Sequence, residues 1–324
     1  MLITQASDRS TMAPWGTISW DRLVFKRDED GERVELGRGG FGSVLAAVYK
    51  YQHVAVKQLS TGGRALSQAQ LEGARREAEI MGRLAHDNVV RVFGFAVEDR
   101  PGRPPKYGIV VALLHETLQA LLVRVASGAH GAPDEALPLA WRLNAFHELV
   151  EGLAHLHVHR VVHGDLKPAN LMVTSPRTGC VVKICDFGLA RDGGSTLGDT
   201  TTGGAHGTAA GGVGSPGWMS PELMALPAPG ELPARPRYRS DVYACTVVAW
   251  QLLAAAPSPY PGYNDEQARE AVRAGRRPDL AALPAGLPPT LPALLASGWA
   301  TAPGDRPRSG GELLEALREA SPLG

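Results

Sequence analysis

"VVHGDLKPANLMV", residues 161–173, sets Asp165, Lys167 and Asn170 between two apolar runs. Such runs read as buried strands, and polar groups crowded at the ends of buried strands are where sites are often built. Aspartate and asparagine supply hard oxygens and proton acceptors, of the kind magnesium and phosphate chemistry uses. Turn formation is the competing reading, because both residue types bond locally to the backbone. Further along, "VVKICDFGLAR" (181–191) repeats the arrangement, with Asp186 closing another apolar run.

Working outward, "GRGGFGSV" (37–44) holds Gly37, Gly39 and Gly42 at G-x-G-x-x-G spacing, with Val44 two residues on. Without Cβ atoms, backbone N–H groups can approach phosphate oxygens closely. A glycine-rich hairpin turn is an equal reading. A dinucleotide loop is a third, but it needs a helix directly after the glycines, and β-prone text follows instead. In "HVAVKQL" (53–59), Lys57 lies on an alternating strand with Ala55 on the same side, fifteen residues after Gly42. It is either a solvated strand lysine or an amine reaching back towards the glycine loop, where it needs an anionic partner. Glu77 and Glu79 on the next helix are candidates, or else ordinary helix decoration.

The remaining pattern orders these pieces. Residues 1–20 read as a loose N-terminal tail, with Trp15 and Trp20 able to dock on the body. Short β-prone runs follow from Val34 to Leu59, then a helix over about Ser67–Ala85 with Leu71, Ala74, Ala78, Met81 and Leu84 on one face. "VVRVFGFAV" and "YGIVVALL" read as two more strands around the turn-rich "EDRPGRPPK". Helices dominate after that. One spans Pro138–His157, and "VYACTVVAWQLLAAA" (242–256) reads as a buried helix. Strands first and helices second predict an α+β fold in two lobes: a small antiparallel β lobe with one helix over 21–114, and a larger, mainly helical lobe over 115–320. "GGSTLGDTTTGGAHGTAAGGVG" (193–214) is a low-complexity insert expected to be mobile, and "LPAPGELPARP" (226–236) an inserted loop.

Bulk properties narrow the function. The chain has 324 residues, with 33 Lys plus Arg against 33 Asp plus Glu. That balance gives no reason to expect nucleic acid or an anionic membrane as partner. Cys180, Cys185 and Cys245 are too few and scattered for a disulfide framework or a zinc site. Cys185 reads as a small buried residue. His155, His157 and His159, at i, i+2 spacing, do not converge on one helix face, so with His163 they are not expected to bind a metal. No apolar run reaches the ~20 residues of a membrane span, and no targeting signal is visible, so a cytoplasmic location is the default expectation.

The ordered set "GRGGFGSV", "VAVK", "HGDLKPAN", "DFG" and "GSPGWMSPE" resembles the signature of eukaryotic protein kinases over about residues 34–318. The tryptophan in the last motif resembles the tyrosine-kinase-like group of Ser/Thr kinases, and Lys167-Pro168 resembles the Ser/Thr type. The resemblance implies ATP and Mg²⁺ as cofactors, bound between the lobes, and Ser/Thr hydroxyls of a protein as substrate, with autophosphorylation as a further outcome. By resemblance, Gly37, Gly39 and Gly42 cover the phosphates, and Val44, Ala55 and Met172 sandwich the adenine. Lys57 holds the α- and β-phosphates, braced by Glu77, which precedes His86 at the family's spacing. Asp165 is the catalytic base, Lys167 neutralises the γ-phosphate, and Asn170 and Asp186 ligate Mg²⁺. Glu222 pairs with Arg306, Asp241 caps the buried helix and ties down the catalytic loop, and Val111 is the gatekeeper before the hinge "ALLHE" (112–116).

Gly164 departs from the pattern, because most members carry an arginine there that receives an activation-segment phosphate. Glycine cannot bind phosphate through a side chain, so activity is expected not to depend on phosphorylation of Thr196, Thr200, Thr201, Thr202 or Thr208 through that route. Two alternatives stand beside the kinase reading. A pseudokinase scaffold is opposed by the complete set Lys57, Glu77, Asp165, Asn170 and Asp186. A small-molecule phosphotransferase shares "HGD" but lacks the "WMSPE" segment.

Overall fold

The computed structural model describes residues 17–39, 42–59, 67–98, 102, 105–128, 137–173, 182–187, 190–192, 215–225 and 234–321. The threonine-rich insert 193–214 lies outside them, as do residues 1–16, 99–101, 103–104 and 226–233. The chain divides into two compact units. One runs up to Arg83 and resumes over Arg91–Leu113; the other comprises Leu84–Val90 and everything from Leu114 on.

The first unit is a curled sheet with one helix. Its strands are β1 (Thr17–Ser19), β2 (Val24–Phe25), β3 (Glu35–Gly39), β4 (Gly42–Tyr49), β5 (Gln52–Leu59), β6 (Val92–Glu98) and β7 (Lys106–Ala112). They lie in the order β1-β6-β7-β5-β4-β2, with β3 on β4. All pairs are antiparallel except β1 with β6. Alternation sorts the side chains by face. Val54 and Val56 join Ile18, Trp20, Ala47 and Val110 in one core cluster, while Ala55 and Lys57 point the other way.

Helix α1 (Gln68–Gly82) begins at a capping box in which Ser67 and Gln70 satisfy each other's backbone N–H groups. Its Ala74 and Ala78 pack on Leu59, Phe95 and Ile109. The β4–β5 turn places Lys50 and Tyr51 at φ 46° and 63°, a two-residue hairpin with both central residues left-handed.

In the second unit come β8 (Glu116–Thr117), α2 (Leu118–Ala126), α3 (Leu139–Val158), β9 (Val161–Val162), β10 (Leu171–Val173), β11 (Val182–Ile184) and β12 (Arg191–Asp192). They are followed by α4 (Pro221–Met224), α5 (Tyr238–Ala254), α6 (Asp265–Arg273), α7 (Leu291–Gly298) and α8 (Gly310–Ala320). β10 pairs with β8 and β11, and β12 with β9. From Ser240 to Leu253 every residue of α5 is buried, which makes this helix the floor of the unit. No helix among the described residues is long and apolar enough to cross a membrane.

The structure corrects three sequence expectations here. Residues 17–20 are not loose tail: β1 pairs along β6, and Trp20 docks on the body as expected, 4% exposed, packing on Phe25 at 5.4 Å between ring centroids. An indole that size buries too much apolar surface to stay in solvent. The run from Val89 is not one strand. Val90 N–H donates to Ile184 O and Ile184 N–H to Asn88 O, so 84–90 joins the second unit. Finally, Asp241 does not cap α5. Arg237 is the N-cap residue, its N–H donating to Ser240 Oγ at 2.8 Å, and Asp241 lies inside the first turn.

Candidate active site

In the first unit the three glycines sit in a hairpin, Gly37 paired with Val44 and Gly39 with Gly42. A strand, β4, follows them, which removes the dinucleotide reading. Val44 in turn pairs with Lys57, so the lysine lies directly across the ladder from the strand that leaves the glycine turn. Lys57 Nζ meets Glu77 Oε1 at 2.8 Å. Glu77 is 8% exposed, and a carboxylate so buried needs a partner such as this amine. Glu79 pairs instead with Arg83 on the exposed face of the helix. Ala55 is buried, one pleat repeat from the lysine on the same face, and Val111 pairs with it on β7.

In the second unit the opening stretch folds back on itself. Asp165 is held by its neighbours: Lys167 Nζ donates to its Oδ2 at 2.7 Å and Asn170 Nδ2 to its carbonyl and Oδ2 at 2.8 and 3.1 Å. Lys167 also donates to Ser215 Oγ at 2.7 Å. Asn170's side-chain nitrogen is thus spent on Asp165, and its side-chain oxygen Oδ1, the atom a hard cation takes, is not used by those bonds. Met172, half-buried in β10, lies between the buried Leu171 and Val173.

The loop before Asp165 is fixed from α5. Asp241, 1% exposed, accepts His163 N–H at 2.7 Å through Oδ2 and Gly164 N–H at 2.9 Å through Oδ1. Gly164 has φ +80°, a left-handed backbone that a side chain strains, which explains why glycine is comfortable there. His163 Nδ1 accepts Asp165 N–H at 3.3 Å, so its proton sits on Nε2 and is donated to Cys185 O at 3.0 Å.

Asp186 stands exposed two residues beyond the end of β11. Its φ of 60° costs about 1–3 kcal/mol in a non-glycine residue, the sort of strain that clusters at functional sites. Its neighbour Cys185 donates N–H and Sγ–H to Asn170 O at 3.0 and 3.1 Å, which ties the Asp186 turn to the Asn170 turn. Cys185 is therefore half-buried and hydrogen-bonded, not the buried apolar filler expected, whereas Cys245 is fully buried and desolvation pushes its thiol far up. Phe187 is buried with its ring 5.2 Å from His163.

A second ion pair, with the arginine buried and the glutamate half-buried, braces the surroundings. Arg306 and Glu222 meet side by side, Nη1–Oε1 and Nη2–Oε2 both 2.8 Å. The other three guanidinium hydrogens go to the carbonyls of Ala300, Arg239 and Thr301, so all five donors are used. Burial works to raise the Glu222 pKa, but Arg306 outweighs it and holds the carboxyl below the usual range.

Two positions escaped the sequence reading. Ser215 reaches Lys167 from forty-eight residues away, a distance no local pattern reports. His157, read as one of a run of histidines, is 6% exposed and donates from Nε2 to Asp241 Oδ2 at 3.1 Å. Among the described residues no group of three or more His, Cys, Asp or Glu could hold a metal ion. A magnesium ion that completes its shell with phosphate oxygens and water asks for only one or two protein oxygens, and Asn170 and Asp186 fit that demand.

Residues 32–315 match the family model described as protein tyrosine and serine/threonine kinase. Among similar proteins, serine/threonine-protein kinase CTR1 of Arabidopsis thaliana is 32% identical over 276 residues, 84% of this chain and 29% of that protein. Receptor-interacting serine/threonine-protein kinase 1 of Homo sapiens is 28% identical over 298 residues, 90% of this chain and 40% of that protein. Serine/threonine-protein kinase mos of Gallus gallus is 31% identical over 279 residues, 83% of this chain and 72% of that protein. The chain thus spans less than half the length of the first two.

Proposed function

Because this chain belongs to the protein tyrosine and serine/threonine kinase family, on its serine/threonine side and in the tyrosine-kinase-like group, we propose that it transfers the γ-phosphate of Mg-ATP to serine or threonine hydroxyls of a protein, its own included. The observation that carries this reading is the Asp165 cluster, a carboxylate oriented by Lys167 and Asn170 and held on a loop that Asp241 ties down.

In the reaction, Asp165 takes the proton of the acceptor hydroxyl as its oxygen bonds to the γ-phosphorus. The bond from that phosphorus to the bridging oxygen breaks, and ADP leaves. Lys167 turns its ammonium towards the transferring phosphoryl group. Lys57, set by Glu77, holds the α- and β-phosphates beneath Gly37, Gly39 and Gly42, while Val44, Ala55 and Met172 contact the adenine. Asn170 and Asp186 would hold Mg²⁺, which supplies neutralisation of phosphate charge when bound. Nearly all of the catalysis is positioning and electrostatics, so few residue types suffice.

The Glu222–Arg306 pair supports this reading over a small-molecule phosphotransferase, and the intact set of charged residues supports it over a scaffold. The test is transfer of label from γ-labelled ATP to a basic protein and to the chain itself, with Asp165→Asn as control. Label on serine or threonine that vanishes in the variant upholds the proposal. ATP binding without label in either protein would overturn it in favour of a scaffold.

A further inference from the structure

The first turn of α8 is wired to the loop that carries Asp165. Ser309 is the N-cap residue and Gly310 the first residue of this helix, so Gly310 N–H is one of the donors a helix leaves without an internal partner. That donor goes to His157 Nδ1 at 2.7 Å, in a buried position on α3. Because Nδ1 accepts, the ring proton lies on Nε2, which donates to Asp241 Oδ2. The same Oδ2 accepts His163 N–H, and Oδ1 accepts Gly164 N–H. Four hydrogen bonds of 2.7–3.1 Å thus run without interruption from α8 to the two residues before Asp165.

The contact that starts this chain depends on a missing side chain. A Cβ on Gly310 would lie 2.7 Å from Ala154 N and Leu153 C on α3, backbone atoms that cannot step aside. At Gly311, one residue on, a Cβ would meet only Ser309 Oγ, at 3.6 Å. Helix α8 can therefore approach α3 closely enough to bond His157 only with glycine at 310.

We infer that Gly310 and His157 are positioning residues for phosphoryl transfer. Docking of α8 fixes the His157 ring, the ring fixes the Asp241 carboxylate, and the carboxylate fixes the loop that presents Asp165. Neither residue touches nucleotide or acceptor. The inference rests on the phosphotransfer reading for its kinetic arm only.

The experiment compares Gly310→Ala with Gly311→Ala. Both put the same methyl group into the first turn of the same helix, and only the first clashes. Initial rates against ATP are read together with hydrogen exchange of a peptide covering 161–166. Gly310→Ala is expected to lower kcat about tenfold, as a displaced base would, with KM for ATP within about twofold of the parent, and to speed exchange in 161–166. Gly311→Ala should match the parent in all three. Equal losses in both variants, or parental kcat and exchange in Gly310→Ala, would overturn the inference. If the parent transfers no phosphate, the function has failed, but exchange still decides the coupling: faster in Gly310→Ala alone upholds it, unchanged sinks it. Should Gly310→Ala not fold, Ser309→Ala removes only the cap bond to Glu312 N–H, and a smaller change of the same kind is expected. Parental exchange and kcat in that variant would count against the inference.

Discussion

At the scale of single residues, Lys57 and Glu222 each lose an ion pair when replaced, but only Lys57 is assigned to the reaction. Lys57 sits on a strand whose opposite face fills the core, so its ammonium can be removed without opening a cavity. Lys57→Met is expected to lower phosphotransfer at least about a hundredfold, the usual loss when one preorganised electrostatic partner goes, with the fold intact by circular dichroism; because the buried Glu77 carboxylate then lacks its amine, the thermal midpoint is expected to fall as well. Parental activity in that variant would remove Lys57 from the site. Glu222 is read through stability alone. Glu222→Gln leaves the Arg306 guanidinium, fully buried at its side chain, without its counter-charge, at a cost of about 3–5 kcal/mol. Urea unfolding reads this directly, and a midpoint equal to the parent's would mean the pair carries no net stability. The sign with pH follows from the lowered Glu222 pKa: the pair stabilises above the unfolded carboxyl's pKa of 4.5, and its contribution is lost as pH falls below that value.

Elements show what could be read in advance. Helix α1 was legible because its apolar spacing and its Ser67 start act locally. So was β5, whose alternation puts Val54 and Val56 on one side and Lys57 on the other. The β4–β5 turn carried no such signal, since Lys50 and Tyr51 are not residues that favour left-handed backbone; the pairing of the flanking strands imposes it. Some long-range contacts were equally silent, among them Ser215 on Lys167, Gly310 on His157, and the 84–90 segment on β11. The motifs named Asp165, Lys167, Asn170 and Asp186, but not Ser215 on Lys167 or His157 on Asp241. Gly164 lies between these cases, visible as an exception in the motif and explained by its φ of +80° and its bond to Asp241. Since that position offers no phosphate-binding side chain, replacing Thr196, Thr200, Thr201, Thr202 and Thr208 together with alanine should leave more than about half of the activity, because no Arg–phosphate contact is lost. Loss of all transfer in that variant, with the fold intact by circular dichroism, would show another route by which these threonines control the loop.

On the scale of the whole molecule, equal numbers of acidic and basic residues leave no net charge to dominate stability near neutral pH, so individual buried groups set its pH dependence. Several of these lie in the second unit. His155 lies in a stack of three imidazoles, 4.7 Å from His86 of the 84–90 segment and 4.2 Å from His159 at the end of α3. Its Nε2 is buried without a hydrogen-bond partner. Desolvation first, then the two neighbouring rings, lower its pKa to about 4. Burial likewise lowers His147, whereas burial raises Glu148, an opposing contribution. For His155 the folded pKa lies below the unfolded value of 6.5. Its contribution is therefore intact above about pH 6.5 and is lost as pH falls towards 4, because the unfolded chain takes up a proton that the folded one refuses. Protonation would also set a cation between two stacked rings that anchor the 84–90 segment to α3. His155→Phe keeps an aromatic ring in the stack and removes the titration. Thermal midpoints of parent and variant at pH 7 and pH 5 test this. The parent is expected to lose more stability than the variant between the two, and equal losses would mean that the histidine stack takes no part in the acid response.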